Sequence, residues 1–227
     1  MLLLTCLFSS AAYSSVIDKI YHPYVDALEQ EIEYRLIVQA NQPGEPDDVA
    51  LHQLSYGRSF GDKWFSEIYL IGEKSDVQSF EIEAYEIETK WQLTEQGEFW
   101  ADLGLLFELE KADGESIWEF STALLVEKEL GKWSGTTNLF ITQEFGRDID
   151  EELEATFGSQ IRYRYSRYLE PAIEFYSGED VNALGPVLQG NLIVGTRRTL
   201  HWESGIIFSL DGYSPNRTLR FLLEYEF

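Results

Sequence analysis

Apolar and polar residues alternate along most of this chain, so that about every second position carries an apolar side chain. Leu200, Trp202 and Phe208 share one parity, and polar residues occupy most of the positions between them. The residues at 99–110 and 152–165 alternate in the same way. A period of two residues is the side-chain period of a β-strand, whereas a helix repeats every 3.6 residues. The pattern therefore predicts an all-β protein.

Twelve runs of this kind can be counted, each long enough to form a strand. They lie at 27–40, 49–60, 64–74, 79–93, 99–110, 117–129, 133–145, 152–165, 169–178, 186–196, 199–210 and 217–227. The run at 79–93 changes phase near Ala84 and Tyr85. One extra residue in a strand produces such a change, so we expect a β-bulge there.

The connections between the runs alternate in length. Longer polar connections lie at 41–48, 75–78, 111–116, 146–151, 179–185 and 211–216, and shorter ones at 61–63, 94–98, 130–132, 166–168 and 197–198. Such alternation is typical of an up-and-down antiparallel barrel whose two ends differ. Because the number of strands is even, both ends of the barrel sequence are expected on the short-turn side, which would be periplasmic.

The polar parity carries many charges, and this decides between a soluble and a membrane barrel. In a dry core each unpaired ion would cost several kcal/mol, whereas a transmembrane barrel turns its apolar face to lipid and its polar face to a wet lumen. The charged residues expected to line that lumen are Glu29, Glu31, Glu33, Arg35, Asp102, Glu108, Glu119, Glu127, Glu154, Arg162, Arg164, Glu174, Glu203, Arg220, Glu224 and Glu226. The sequence thus predicts a single transmembrane β-barrel over residues 27–227.

The tryptophans support a membrane location. Trp64, Trp91, Trp100, Trp133 and Trp202 all lie within a few residues of a predicted short turn, and Trp118 lies beside a longer loop. Tryptophan and tyrosine are enriched where a barrel meets the lipid headgroups. Strands are rich in aromatic residues in any case, but their concentration at one end favours an aromatic girdle.

The last strand carries the most specific signal. Leu219, Phe221, Leu223, Tyr225 and the terminal Phe227 share one face. This strand resembles the C-terminal strand of bacterial outer-membrane β-barrel proteins. The resemblance implies insertion into the outer membrane of a Gram-negative bacterium, with outer-membrane lipid and the barrel-assembly machinery as partners. It points to no particular activity.

The N-terminus is predicted to be a targeting segment. Residues 1–8 are apolar apart from Thr5, and small residues follow, which is typical of a secretory signal peptide over residues 1–15. Cys6, the single cysteine, would leave with that peptide. We assign residues 16–26 to a periplasmic N-terminal segment, in which Pro23 argues against a central strand. A tether, a partner contact and a lumen plug remain open as its role.

Composition narrows the function. The 227 residues include 40 Asp+Glu and 17 Lys+Arg, and the formal net charge is −23. A chain this acidic lacks the basic surface that nucleic-acid binding needs. With 44% hydrophobic residues it can bury enough apolar surface to fold. The oligomeric state is left open.

The carboxylates of the predicted lumen favour a passive pore for cations or small solutes, because carboxylate rings lower the barrier for cations. The alternative is a closed barrel in which Glu–Arg pairs fill the lumen and the protein acts as a scaffold or binds a partner. An outer-membrane hydrolase is disfavoured, since His22, His52 and His201 have no serine at a suitable position, and we predict no enzyme.

Acidic loop residues could bind Ca²⁺ or Mg²⁺, but they lack the spacing of a calcium loop. They are Glu45, Asp47, Asp48, Asp113, Glu115, Asp148, Asp150, Glu151 and Glu152. We interpret them as solvated loops and predict neither a metal nor a cofactor.

Overall fold

The computed structural model describes residues 16–40, 49–147, 149, 153–179, 181–212 and 215–227. Over these residues the chain forms twelve β-strands. They are β1 (Gln30–Ala40), β2 (Val49–Phe60), β3 (Trp64–Lys74), β4 (Glu81–Gln92), β5 (Asp102–Ala112), β6 (Ile117–Leu130), β7 (Trp133–Gly146), β8 (Leu153–Tyr163), β9 (Glu170–Ser177), β10 (Asn182–Gly195), β11 (Arg198–Ser209) and β12 (Arg217–Glu226). The predicted signal peptide, the loop at 41–48 and most of 148–152 lie outside the described residues.

Each strand pairs antiparallel with its neighbours in sequence, and β1 pairs with β12 to close the barrel. At the closure Glu33 lies opposite Glu224, and Ala40 lies opposite Arg217. The all-β, twelve-stranded, up-and-down barrel is therefore confirmed. No helix in the described part of the chain is long and apolar enough to cross a membrane.

The predicted bulge is confirmed beside Ala84. Ile71 of β3 pairs with Ala84 of β4, but the next residue, Gly72, pairs with Ile82, which leaves Glu83 as the extra residue. The backbone oxygen of Glu83 accepts a hydrogen bond from the amide of Asp113 instead. The bulge thus explains why the alternation changes phase at this point.

The predicted difference in connection length is weaker than expected. The connections at 93–101 and 164–169 are as long as several at the opposite rim. Phe99 and Trp100 continue the alternating pattern, yet they are exposed in the connection before β5, and Trp100 is 80% exposed. Tight turns remain at 61–63 and 131–132, where Gly61 and Gly131 have positive φ angles.

Strand β10 begins at Asn182, four residues before the predicted start at 186. The prediction placed Gly185 in the connection at 179–185 and began the strand at Pro186. In the barrel Pro186 lies opposite Ile173 of β9, within the ladder. A Cβ atom on Gly185 would lie 2.0 Å from the backbone oxygen of Ile206, so close backbone contact explains this glycine.

The outer surface of the barrel is apolar, and its rims carry aromatic residues. Outward side chains such as Ile68, Ile87 and Leu139 are about half exposed. At the short-turn rim Trp64 stacks on Trp91 with ring centroids 4.8 Å apart. A surface of this kind is suited to lipid rather than water.

Candidate functional site

The N-terminal segment, residues 16–26, lies inside the barrel. Val16 lies next to Gly178 at the long-loop rim, and the backbone oxygen of Asp26 accepts a hydrogen bond from Ser59 near the short-turn rim. The segment therefore runs from one end of the lumen to the other. Its assignment to the periplasm outside the barrel is corrected, and of the three roles left open the geometry matches a lumen plug.

Three polar side chains of the segment bind carboxylates of the wall. Lys19 Nζ lies 2.8 Å from Glu33 Oε2, and His22 Nδ1 lies 2.6 Å from Glu127 Oε2. The hydroxyl of Tyr24 donates to Asp102 Oδ2 at 2.8 Å. Glu33, Glu127 and Asp102 were all predicted to face the lumen, and here they are partners of the segment.

Wall amides bind the segment's backbone. Asn138 accepts from the Tyr21 amide at 2.7 Å and donates to the Tyr21 carbonyl at 2.8 Å. Gln92 accepts from the Val25 amide at 2.8 Å. The segment pairs with no strand of the described barrel, so these side chains satisfy backbone groups that burial would otherwise leave unpaired.

Two buried arginines connect the wall to Asp18, in the part of the segment nearer the long-loop rim. Arg35 donates to both carboxylate oxygens of Asp18 at 2.5 Å and to Glu33 at 2.5 Å. Arg220 donates to Glu174 at 2.8 Å, to Glu203 at 3.0 Å and to the backbone oxygen of Asp18. Both arginines are 1% exposed. We call Arg35 and Arg220, together with Asp18, Glu33, Glu174 and Glu203, the arginine cluster.

Apolar side chains of the wall pack against the segment, and a glycine of the wall leaves room for it. Ile17 and Ile20 belong to a buried cluster with Ile207 and Tyr176 of the wall. A Cβ atom on Gly158 would lie 2.8 Å from the terminal Cδ1 methyl group of Ile20, so the glycine leaves room for this methyl group in its present position.

The inner face is less polar than predicted. Leu106, Leu125, Ile207 and Leu222 have the lumen-facing parity and are at most 2% exposed. Apolar side chains in a wet lumen would stay hydrated, but here the segment and neighbouring side chains cover them. The inner face therefore combines charged regions with buried apolar ones.

Carboxylates dominate the opposite side of the lumen. Glu88 of β4 lies directly across from Glu108 of β5, and Glu86 lies across from Glu110. Glu110 lies in turn across from Glu119 of β6. We call these five residues the carboxylate wall. Among the described residues, none of the five forms an ion pair with a lysine, arginine or histidine.

Like charges directly opposite each other on neighbouring strands destabilise a sheet. The carboxylate wall contains three such pairs, while in the arginine cluster on the other side the arginines are neutralised by acidic partners. Facing carboxylates also occur where β1 meets β12, with Glu31 opposite Glu226 and Glu33 opposite Glu224. The arginine side therefore differs in holding buried cations, not in lacking facing carboxylates.

The predicted lumen residues are brought together with one exception. Buried inside the barrel are Glu31, Glu33, Arg35, Asp102, Glu119, Glu127, Glu174, Glu203 and Arg220, and half-buried are Glu29, Glu108, Arg162, Arg164, Glu224 and Glu226. Glu154 has the inner parity but is exposed, near the start of β8 at the long-loop rim. Arg164 lies just beyond β8 and pairs with Glu129.

Glu29 lies at the short-turn rim, immediately before β1. Burial raises the pKa of its carboxyl group, Lys90 lowers it, and Glu226 and Asp26 raise it further. The net effect is a pKa above the ordinary value, so the fold favours the protonated form of Glu29.

Each histidine has a polar partner. His22 contacts Glu127, and His201 lies 2.8 Å from Asn191 and 3.1 Å from Glu203. His52 lies on the outer face, 2.7 Å from the Tyr34 hydroxyl.

Ser134 and His22 share the same partner, Glu127. Ser134 donates to Glu127 rather than to His22. Within the described residues, no serine hydroxyl is hydrogen-bonded to a histidine.

Sequence reasoning missed Glu86, Glu88 and Glu110 of the carboxylate wall. It also missed the segment's own contributions, namely Asp18, Lys19, Tyr21 and Tyr24. A signal was nevertheless present, because apolar residues such as Ile207 interrupt the polar parity. These interruptions indicate that something apolar covers the inner face.

The fold is similar to that of solved outer-membrane barrels. An outer membrane channel from Pseudomonas putida F1 has a TM-score of 0.57 at 16% sequence identity, covering 92% of this chain and 97% of that chain. The KdgM porin in complex with disordered oligogalacturonate has a TM-score of 0.54 at 12% identity, covering 87% and 98%. The translocator domain of the autotransporter NalP from Neisseria meningitidis has a TM-score of 0.55 at 10% identity, covering 89% of each chain.

No protein-family model and no curated protein matches the sequence. At these identities the likeness to solved structures shows the fold alone. That fold is the closed antiparallel barrel of outer-membrane proteins, so the resemblance inferred from the C-terminal strand is confirmed.

Proposed function

We propose that this protein is a cation-preferring channel of the bacterial outer membrane, closed in the described conformation by its N-terminal segment. The apolar outer surface and the likeness to a porin and a channel support the location and the general role. The observation that carries the cation preference is the carboxylate wall.

The charge of the lumen argues against anionic solutes. KdgM was solved with oligogalacturonate, a polymer of uronic acids and therefore a polyanion. In this chain Glu88 lies opposite Glu108, and Glu86 opposite Glu110. Within the described part of the chain, none of the four forms an ion pair with a basic side chain. Such a surface repels anions and lowers the barrier for cations.

The N-terminal segment is suited to act as a gate. It is held by side-chain contacts such as Lys19–Glu33 and His22–Glu127, not by a strand ladder. Releasing it leaves the barrel's own hydrogen bonds intact. The segment can therefore move without unfolding the wall, although its buried contacts favour the closed state.

A permanently closed scaffold is the second candidate. The packing of Ile17 and Ile20 and the buried arginine cluster favour it, because these contacts would all be broken on opening. The carboxylate wall favours the channel, because facing carboxylates in a permanently dry core would only destabilise the barrel.

Single-channel recording in planar bilayers tests the proposal. The double variant Lys19→Glu, His22→Glu places carboxylates against Glu33 and Glu127 and should expel the segment. We expect a largely silent wild type and discrete, cation-biased steps from the variant. Lys74→Glu, at an exposed position at the end of β3, is the matched control and should behave as wild type.

Selectivity is tested by adding Glu110→Gln and Glu119→Gln to the double variant, which should weaken the cation bias. Silence of the double variant, with the barrel shown to be folded by heat-modifiable migration on gels, would favour the permanently closed scaffold. An anion-biased reversal potential would refute the cation channel.

A further inference from the structure

The carboxylate wall contains a compact group of oxygen ligands. One carboxylate oxygen from each of Glu86, Glu88 and Glu108 lies within 4.8 Å of the other two. Calcium binds oxygen ligands at about 2.3–2.6 Å, so two ligands on opposite sides of one ion are about 4.6–5.2 Å apart. The three carboxylates can therefore contact a single calcium ion with little movement.

A second observation points to a missing ligand. The Glu88 side chain is buried, at 2% exposure, and its Oε2 has no hydrogen-bond partner among the described residues. A buried carboxylate oxygen without a partner is costly, and native structures normally satisfy such atoms with a proton donor, a water molecule or an ion.

Two cations of this region, Lys19 and Arg35, are bound to other partners. Lys19 is bound to Glu33 and Tyr69, and Arg35 is bound to Asp18 and Glu33. The charge of Lys90 also acts on Glu88, but among the described residues no ion pair joins Glu86, Glu88 or Glu108 to a lysine, arginine or histidine.

We propose that Glu86, Glu88 and Glu108 form a binding site for a divalent cation of the calcium type, inside the barrel on the β4–β5 side. Carboxylates are the hard oxygen ligands that calcium prefers, and water supplies the remaining positions of its six- to eight-fold coordination. Magnesium demands shorter bonds and stricter octahedral geometry, so we expect it to bind less tightly. The site extends the proposed channel function but does not depend on it.

Isothermal titration calorimetry on the full-length folded protein in detergent, stripped of metal with a chelator, tests the site with calcium chloride as the probe. We expect one calcium ion per chain in the wild type and at least tenfold weaker binding in Glu88→Gln and in Glu108→Gln. Glu224→Gln is the matched control, since it removes a half-buried lumen carboxylate of β12 and should leave calcium binding unchanged.

Heat-modifiable migration on gels shows whether each variant folds. Calcium binding also raises the unfolding temperature of the folded wild type, by mass action, and should not do so in Glu88→Gln. This second readout does not require an active channel.

Three results would overturn the site. One is the absence of binding up to about 10 mM calcium, which exceeds the dissociation constants of about 0.1–1 mM typical of weak extracellular calcium modules. Another is equal binding by wild type and Glu88→Gln. The third is binding that disappears only in Asp113→Asn, Glu115→Gln, which would place the ion in an acidic loop.

The two proposals fail separately. Calcium binding by the wild type, with no conductance from the folded double variant Lys19→Glu, His22→Glu, would support the site and refute the channel. Cation-selective conductance without calcium binding would do the reverse.

Discussion

Arg220 should be the side chain whose loss most destabilises the barrel. It is 1% exposed, and its guanidinium contacts Glu174, Glu203, the Tyr176 hydroxyl and the backbone oxygen of Asp18. Arg220→Met keeps a long side chain of moderate volume but removes the positive charge and every donor. The variant therefore leaves Glu174 buried without a cation.

The expected magnitude follows from what Glu174 retains. Breaking a buried ion pair by removing one partner costs about 3–5 kcal/mol. Glu174 still accepts from Gln160 at 2.8 Å and from the Tyr176 hydroxyl at 2.7 Å, which offsets part of that loss. We therefore expect the lower end, a decrease of about 3 kcal/mol in the free energy of unfolding, which is roughly a 150-fold change in the equilibrium constant.

Urea unfolding in phospholipid vesicles, followed by tryptophan fluorescence, measures this difference. Arg217→Met is the matched control, because Arg217 is exposed in the same strand and its loss should cost less than about 1 kcal/mol. The double variant Arg220→Met, Glu174→Gln removes the stranded charge and should recover at least about 1 kcal/mol. A loss below about 1 kcal/mol in Arg220→Met would show that the arginine cluster is hydrated and does not hold the fold together.

Three further predictions concern the lumen, its rim and assembly. A Cβ atom on Gly104 would already lie 3.0 Å from the N-terminal segment, so Gly104→Leu should displace the segment and raise single-channel conductance. Gly135→Leu is the control and should not raise it, because a Cβ atom on Gly135 would have nothing within 4 Å. The fold raises the pKa of Glu29, so the protonated carboxyl group stabilises the folded state at low pH, and this stabilisation is lost as the pH rises through the folded-state pKa. Glu29→Gln should therefore be more stable to urea than the wild type at pH 7, and the difference should vanish below about pH 4. Phe227→Ala should lower the fraction of heat-modifiable barrel recovered in outer-membrane preparations, whereas Phe208→Ala, an outward aromatic residue of β11, should have a smaller effect; equal recovery would refute the assembly signal.

The barrel itself could be predicted from the sequence because its two faces are chemically different. Alternation fixes the register at one-residue precision, since a slip by one residue would turn every side chain to the wrong face. That is why β2 and β3 have the predicted bounds, and why the phase change near Ala84 located the bulge. The start of β5 was harder to predict, because the alternation already begins at Phe99, before the strand. The start of β10 was harder because Gly185 is required by a close contact with the backbone of β11, which the sequence does not show.

The sequence left a lumen plug as one of three roles for residues 16–26, and it could not select this role because the segment contains no period of its own. The segment has neither strand alternation nor a helical stripe, and side chains such as Lys19 and His22 are matched to wall residues by tertiary contact. Asn138, for instance, is an ordinary polar strand residue in the sequence, yet it makes both hydrogen bonds that a strand partner would make with Tyr21. Pairings over such separations are not encoded in local pattern.

The distribution of charge inside the barrel links the closed state to a reason for opening. On one side Arg35 and Arg220 are paired with Asp18, Glu33, Glu174 and Glu203, and that side holds the segment. On the other side the carboxylate wall has no basic partner among the described side chains. A protein that only needed a filled core would be more stable with apolar or amide residues in place of those carboxylates. Their presence is therefore best explained by a cation, either one held between Glu86, Glu88 and Glu108 or one that passes them when the segment moves.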